Sequence, residues 1–209
     1  MLFRSKAATA ESLREYAPEL VIVATGATPR AAPFDISKLG SEIQVMHAWD
    51  ALRHPSRLAQ VKRITIIGGG MVGAETADLF AQQGKQCVVV EMLATIANGM
   101  ARNNRMELVE RLTARGVELL TRMRVASAEG NTLTLRHDDG ATRQLAVGEA
   151  LLCATGPAPV RDIVPVLAQS GLPYELAGDC YRPGDFLSCL RDGFLAALAV
   201  DHQARAGDA

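Results

Sequence analysis

The chain has 209 residues, 48% hydrophobic and 22% charged, with a net charge of −1, the balance of a globular protein with one large or two small domains. Near-zero charge removes the electrostatic case for nucleic acid or an acidic membrane, and no apolar run is long enough to span a bilayer. Residues 1–6 lack the apolar stretch of a signal peptide, so a cytoplasmic protein is the default expectation.

In chain order, residues 9–17 read as a short helix capped by Thr9 and stopped by Pro18. Residues 20–24 read as a buried strand running into Thr25-Gly26, with a turn-rich connector over 27–33. Residues 46–53 read as a short helix with Trp49 as a packing anchor. Residues 63–67 are a short apolar, β-branched run, the pattern of a buried parallel strand. The run breaks into Gly68-Gly69-Gly70-Met71-Val72-Gly73-Ala74-Glu75 and resumes with helical spacing.

Strand, glycine turn and helix are the context in which G-x-G-x-x-G carries meaning. Gly68 allows the tight turn, Gly70 lets a pyrophosphate approach the backbone, and Gly73 brings the helix close to the strand. Met71 and Val72 begin the helix, whose N-terminal amides attract phosphate. Ala77 and Gly84 are small residues expected to let the helix sit against its neighbours. A second strand, 86–90, ends in Glu91, where a carboxylate hydrogen-bonds an adenosine ribose. The bland alternative, a βα turn that binds nothing, leaves Glu91 without a role. NAD(H) is the cofactor this unit suits, in preference to NADPH, because residues 92–96 bring no cation for a 2′-phosphate.

Residues 96–99 read as a loop. Residues 101–115 read as an amphipathic helix with Met106, Val109 and Leu112 on one face. Its arginines Arg102, Arg105, Arg111 and Arg115 read as a solvated face before phosphate ligands. Residues 117–120 form a strand, and turn signals at 129–131 and 138–140 indicate a β-meander returning to strand 150–154. That strand runs into Thr155-Gly156. His137 lies beside a turn and receives no chemistry. A weak helix near 161–169 and a short strand over 174–177 follow, then Gly178-Asp179. A strong helix over 185–202 has Phe186, Leu187, Leu190, Phe194, Leu195, Leu198 and Ala199 on a wide apolar face, and the tail after 203 is expected to fray. The four cysteines, Cys87, Cys153, Cys180 and Cys189, form no C-x-x-C pair. A zinc ribbon and a local redox dithiol are therefore not indicated, and Cys87 and Cys153 read as buried small apolar residues.

Two strands ending in Ala-Thr-Gly, the glycine motif between them, and Gly178-Asp179 before a closing helix resemble the oxidoreductases with two dinucleotide-binding domains. The pattern is most similar to the C-terminal part of the NADH:flavin oxidoreductase, 2,4-dienoyl-CoA reductase and trimethylamine dehydrogenase family. The resemblance implies an α/β, Rossmann-like three-layer fold with a β-meander crossover, plus part of a second, FAD-type domain. It implies NAD(H) binding over 55–150 and a partial flavin-binding domain over 1–54 and 151–209. Thr25, Gly26, Thr155, Gly156, Gly178 and Asp179 would lie at the flavin-proximal segments. Glu75 would orient groups near the nicotinamide or serve as an acid favourable at a helix N-terminus. Asp179 would contact flavin or cap a loop.

The family's first glycine fingerprint, its FMN- and substrate-holding barrel and its cluster cysteines have no counterpart here. The expectation is a fragment whose partners are the N-terminal flavin and substrate domains, with homo-oligomerisation left open. Its leading function is an oxidoreductase component passing a hydride from NADH to a flavin. The alternative is a non-catalytic ADP- or NAD-binding module. Catalytic residues remain unassigned, FAD binding by this chain alone is not expected, and no metal site is indicated.

Overall fold

A computed structural model describes residues 7–207, with side chains to residue 200. In chain order the elements are α1 (Ala10–Tyr16), β1 (Val21–Val23), β2 (Ala27–Pro29), β3 (Gln44–His47), α2 (Ala48–Arg53), β4 (Arg63–Ile67), α3 (Met71–Gln82), β5 (Gln86–Val90) and α4 (Arg102–Ala114). They continue with β6 (Glu118–Leu120), β7 (Met123–Glu129), β8 (Thr132–His137), β9 (Thr142–Ala146), β10 (Ala150–Cys153), β11 (Pro157–Pro159), α5 (Val164–Ser170), β12 (Tyr174–Leu176) and α6 (Phe186–Gly207). Residues 1–6, which carry the signal-peptide reading, lie outside the described residues, as do 208–209.

The chain forms two compact units, one from residues 29–156 and one from 1–28 with 157–209. These boundaries correct the division expected at 54/55 and 150/151. The physical reason is strand pairing. β10 lies parallel between β3 and β4, hydrogen-bonded to both, so 44–47 and 150–153 belong to the sheet that carries the glycine motif. The strand β3 was hidden in the sequence because its last residues merge into the helical pattern of 46–53; the helix itself is only Ala48–Arg53.

Within 29–156 a five-stranded sheet has the order β3-β10-β4-β5-β6, with every adjacent pair parallel. Each face is covered, as parallel sheets require. On one face Ile64, Ile66, Val89 and Leu152 pack with Phe80, Ala77 and Ala74 of α3 and Leu108 and Leu112 of α4. On the other, Ile67, Val90, Leu151 and Cys153 pack with Leu133, Leu135 and Leu145 of the antiparallel meander β7-β8-β9. The α4 face differs from the expected one. Leu108 and Leu112 are buried, Val109 is half-buried and Met106 is exposed, because a four-residue step, not the 106-109-112 step, follows the side facing α3.

The other unit pairs β1 with β12 in parallel and β2 with β11. Its core is small: Leu13, Val23, Leu167 and Cys180, with Val21, Ile163 and Leu176 packed against them. Thr9 caps α1 in a reciprocal pair with Ser12. The apolar face expected on α6 is largely exposed. Phe186 and Phe194 are 80% and 64% exposed, and Leu187, Leu190, Leu195 and Leu198 are exposed too, while Asp192 and Ala196 turn inward. Two three-residue strands give a helix of this length too little sheet to cover. α6 also runs on to Gly207, through the tail expected to fray.

Candidate functional site

The site begins where β4 ends. Gly68 adopts φ +99°, which a side chain resists, and a Cβ there would strike the carbonyl of Ala154 at the end of β10. A Cβ on Gly73 would strike the Gly68 carbonyl and approach the Ala154 methyl at 3.2 Å. These two glycines let α3 press against the strand ends. Gly69 is equally confined, facing Ile96 Cδ1 and Glu91 Cβ.

Gly70 is different. Nothing lies within 4 Å of where its Cβ would be. It is the N-cap of α3 and offers no side-chain cap to the amides of the first turn, leaving Met71, Val72 and Gly73 as unsatisfied donors. The missing side chain thus keeps open the space in front of a helix N-terminus, a cradle that suits a pyrophosphate. Gly84, by contrast, is not a packing contact. It has open space around it and φ +79°, so its role is the reversal after α3.

Glu91 closes the site on the β5 side. It is only 7% exposed. Its Oε2 accepts from the Gly69 N–H at 2.6 Å and its Oε1 from the Leu93 N–H at 2.7 Å. The carboxylate therefore stitches the glycine loop to the loop after β5. Each carboxylate oxygen retains further acceptor capacity. Met92 and Leu93, next in sequence, are exposed. Beside this loop Ala94, Thr95, Ile96, Arg105, Met106 and Val109 line an apolar hollow of about 650 Å³.

Other expected site residues fall elsewhere. Glu75 is exposed and lines a groove of about 450 Å³ between α3 and α4, with Asp78, Asn104, Glu107 and Arg111. Arg111 donates to Asp78 Oδ2 at 3.0 Å and Arg115 to Asp78 Oδ1. Arg111 of α4 and Arg115 at its C-cap therefore hold α4 to the fingerprint helix. Thr155 and Gly156 follow β10, where the Gly156 carbonyl accepts from the Arg30 N–H at 2.9 Å and the Thr155 hydroxyl reaches the Arg30 carbonyl at 3.4 Å. The first Ala-Thr-Gly repeats this pattern in its own unit. Thr25 Oγ1 donates to the Val160 carbonyl at 2.5 Å and the Gly26 carbonyl accepts from the Val160 N–H.

Gly178 and Asp179 open a 3₁₀ turn, Gly178–Cys180. Asp179 Oδ1 accepts from the Gly184 N–H at 3.1 Å, a loop-capping contact. Arg161 holds this turn through the carbonyls of Cys180 (2.6 Å) and Tyr181 (2.5 Å); in sequence it was an isolated arginine after a proline pair. Burial pushes the thiols of Cys87 and Cys153 up to about 12 and about 11, which fits inert core positions. Among the described residues no group of His, Cys, Asp and Glu is placed to hold a metal. No helix is long and apolar enough to cross a membrane.

A parallel sheet with a glycine loop at a strand's carboxyl end and an acid ending the next strand defines a Rossmann-like nucleotide-binding fold. The pyridine nucleotide-disulphide oxidoreductase profile matches residues 3–179, and the chain belongs to that family. It is 33% identical over 193 residues to a bilirubin reductase of Mediterraneibacter gnavus (strain CC55_001C), covering 92% of this chain and 29% of the relative. It is 28% identical over 194 residues to an NADH oxidase of Thermoanaerobacter brockii, covering 92% and 30%. The fold is shared with histamine dehydrogenase from Rhizobium sp. 4-9 (TM-score 0.75, 16% identity, 90% of this chain and 31% of that one). It is shared too with a 2-naphthoyl-CoA reductase (TM-score 0.71, 20% identity, 90% and 28%). The chain thus spans under a third of the length of these proteins.

Proposed function

We propose that residues 29–156 bind NAD(H). On this reading the chain is the nicotinamide-nucleotide-binding component of a larger NADH:flavin oxidoreductase of the 2,4-dienoyl-CoA reductase and trimethylamine dehydrogenase type. The observation that carries the reading is the open position at Gly70, in front of the uncapped α3 N-terminus and one strand away from the buried Glu91. Met71, Val72 and Gly73 supply amides to the pyrophosphate. Glu91 fixes the loop and offers its remaining lone pairs to a ribose hydroxyl. Bound NADH supplies a hydride from its nicotinamide ring; the chain's own residues bind, orient and exclude water. The names of two relatives, an NADH oxidase and a bilirubin reductase, support reductive chemistry, and the matched region is under a third of each relative, which fits an acceptor site outside this chain.

The test is calorimetric titration with NADH. Wild type is expected to bind in the micromolar to millimolar range. Gly70→Val fills the open position and abolishes binding while the fold, judged by circular dichroism, persists; unchanged affinity in that variant would sink the assignment.

A second reading, a nucleotide-binding module without turnover, is favoured by one observation. Among the described residues a strand passing through a glycine turn directly into an α-helix occurs once, in residues 63–82, and residues 7–28 and 157–207 do not repeat it as a cradle for the phosphates of FAD. Anaerobic bleaching of added flavin by NADH in the presence of the protein would choose the first reading, and binding without bleaching the second.

A further inference from the structure

His47 closes β3 in the same row as the strand ends that build the nucleotide site. In register it stands beside Cys153, Cys153 beside Ile67, and Ile67 beside Val90. The residues immediately after the last two are Gly68 and Glu91. From β4 the chain moves through β5 to β6 on one side, and it returns to β10 on the other. The reversal therefore falls between β4 and β10, the place where open α/β sheets take their ligands, outside the carboxyl ends of the strands. With the adenosine half directed to β5 by Glu91, the second half of a dinucleotide extends across β10 toward β3. His47 lies two strand spacings from Ile67, about 10 Å.

The imidazole is half-buried, and its Nδ1 is sealed from solvent with no hydrogen-bond partner, the sole such side-chain nitrogen or oxygen among the described residues. It caps nothing, although His47 is the N-cap residue of α2. Alternation along β3 explains the sealing. Met46 belongs to the helix-side core and Val45 to the meander-side core, so His47 shares the apolar meander side with Cys153. An orphaned buried N–H is costlier and rarer than an orphaned acceptor. With Nδ1 as the sealed acceptor, Nε2–H is the ring donor left for a ligand.

We infer that His47 is a cofactor contact at the nicotinamide end of the site, its Nε2–H donating to an oxygen acceptor of the nicotinamide nucleotide half, the carboxamide or the ribose. The inference rests on the NAD(H) reading above. It assigns to the outermost strand of the sheet a role in telling a dinucleotide from a plain adenine nucleotide.

The experiment compares NADH with ADP as ligands for wild type, His47→Ala and His47→Gln. Loss of one such hydrogen bond weakens NADH about three- to tenfold in His47→Ala and leaves ADP unchanged. His47→Gln, which keeps an N–H near the Nε2 position, retains NADH affinity. On wild type, ¹⁵N-labelled histidine resonances give an independent readout: NADH shifts the His47 Nε2 signal and ADP does not. A parallel loss of both ligands, an unchanged NADH-to-ADP ratio, or an unmoved Nε2 signal at saturating NADH overturns the inference alone. Failure of wild type to bind either ligand overturns the NAD(H) reading and this inference with it.

Discussion

Glu149 and Glu91 are two carboxylates that hold backbone. Glu149 Oε2 accepts from the N–H groups of Arg63 at 2.6 Å and Lys62 at 3.2 Å, tying the entry of β10 to the start of β4. The Arg63 N–H is the largest influence holding the Glu149 carboxyl below its usual range. A lowered native pKa contributes stability above the unfolded-state value, roughly 4.3. That contribution is lost as pH falls through the native value. Glu149→Gln is therefore expected to lower Tm by about 1–2 °C at pH 7, with the gap closing below pH 4; thermal scans across pH check this. Glu91 sits in the site itself. Glu91→Ala strands the amides of Gly69 and Leu93, so both NADH and NADPH affinities fall as the loop loosens. Because the carboxylate also repels a 2′-phosphate, NADPH falls less. Wild type is expected to prefer NADH by roughly tenfold to a few hundredfold, about 1.4–3 kcal/mol. Titration with both cofactors measures that ratio, and an unchanged ratio in Glu91→Ala refutes Glu91 as its source.

At the scale of elements, the fingerprint helix is held from two sides. Toward the sheet, Gly73, Ala74 and Ala77 are small enough for α3 to lie on β4 and β10. Toward α4, Asp78 takes both Arg111 and Arg115. Those arginines are partly exposed, so the latch is worth on the order of 1 kcal/mol. Asp78→Ala is expected to lower Tm by about 2–4 °C, and by less in 1 M salt, where the pairs are screened. A salt-independent loss would show that packing, not charge, joins the two helices. Lys85 makes a comparable tie, its ammonium reaching the carbonyls of Leu58 and Val61 at 2.7 Å and fixing the connector that leads into β4.

On the scale of the whole molecule, the two units are unequally finished. The 29–156 unit has a sheet covered on both faces. The other has, among its described residues, only the two short pairs β1-β12 and β2-β11, and an α6 face with Phe186, Leu187, Leu190 and Phe194 in water. Patches of this kind promote association. The purified chain is expected to bind an apolar dye such as ANS and to grow in apparent size with concentration. Phe194→Asp with Leu187→Asp should reduce both, and light scattering with dye titration reads the result. A monomer at all concentrations with no dye uptake contradicts it.

Much of the glycine-loop region was legible in the residues. β4, the glycine turn, α3, β5 and the terminal Glu91 follow from local chemistry: β-branched runs, missing side chains, and small residues at helical spacing. So did the meander and the cap at Thr9. What tertiary structure decided were matters of pairing. β3 is four residues long and carries no periodicity of its own, so only its ladder with β10 reveals it, and with it the domain boundary and the place of His47. Likewise Arg111, Arg115 and Arg161 look like solvated charges until their partners, tens of residues or one loop away, come within reach. The apolar face of α6 is correctly apolar in sequence. Whether such a face is buried depends on how much sheet stands opposite it, and that is a property of assembled strands which no helical period encodes.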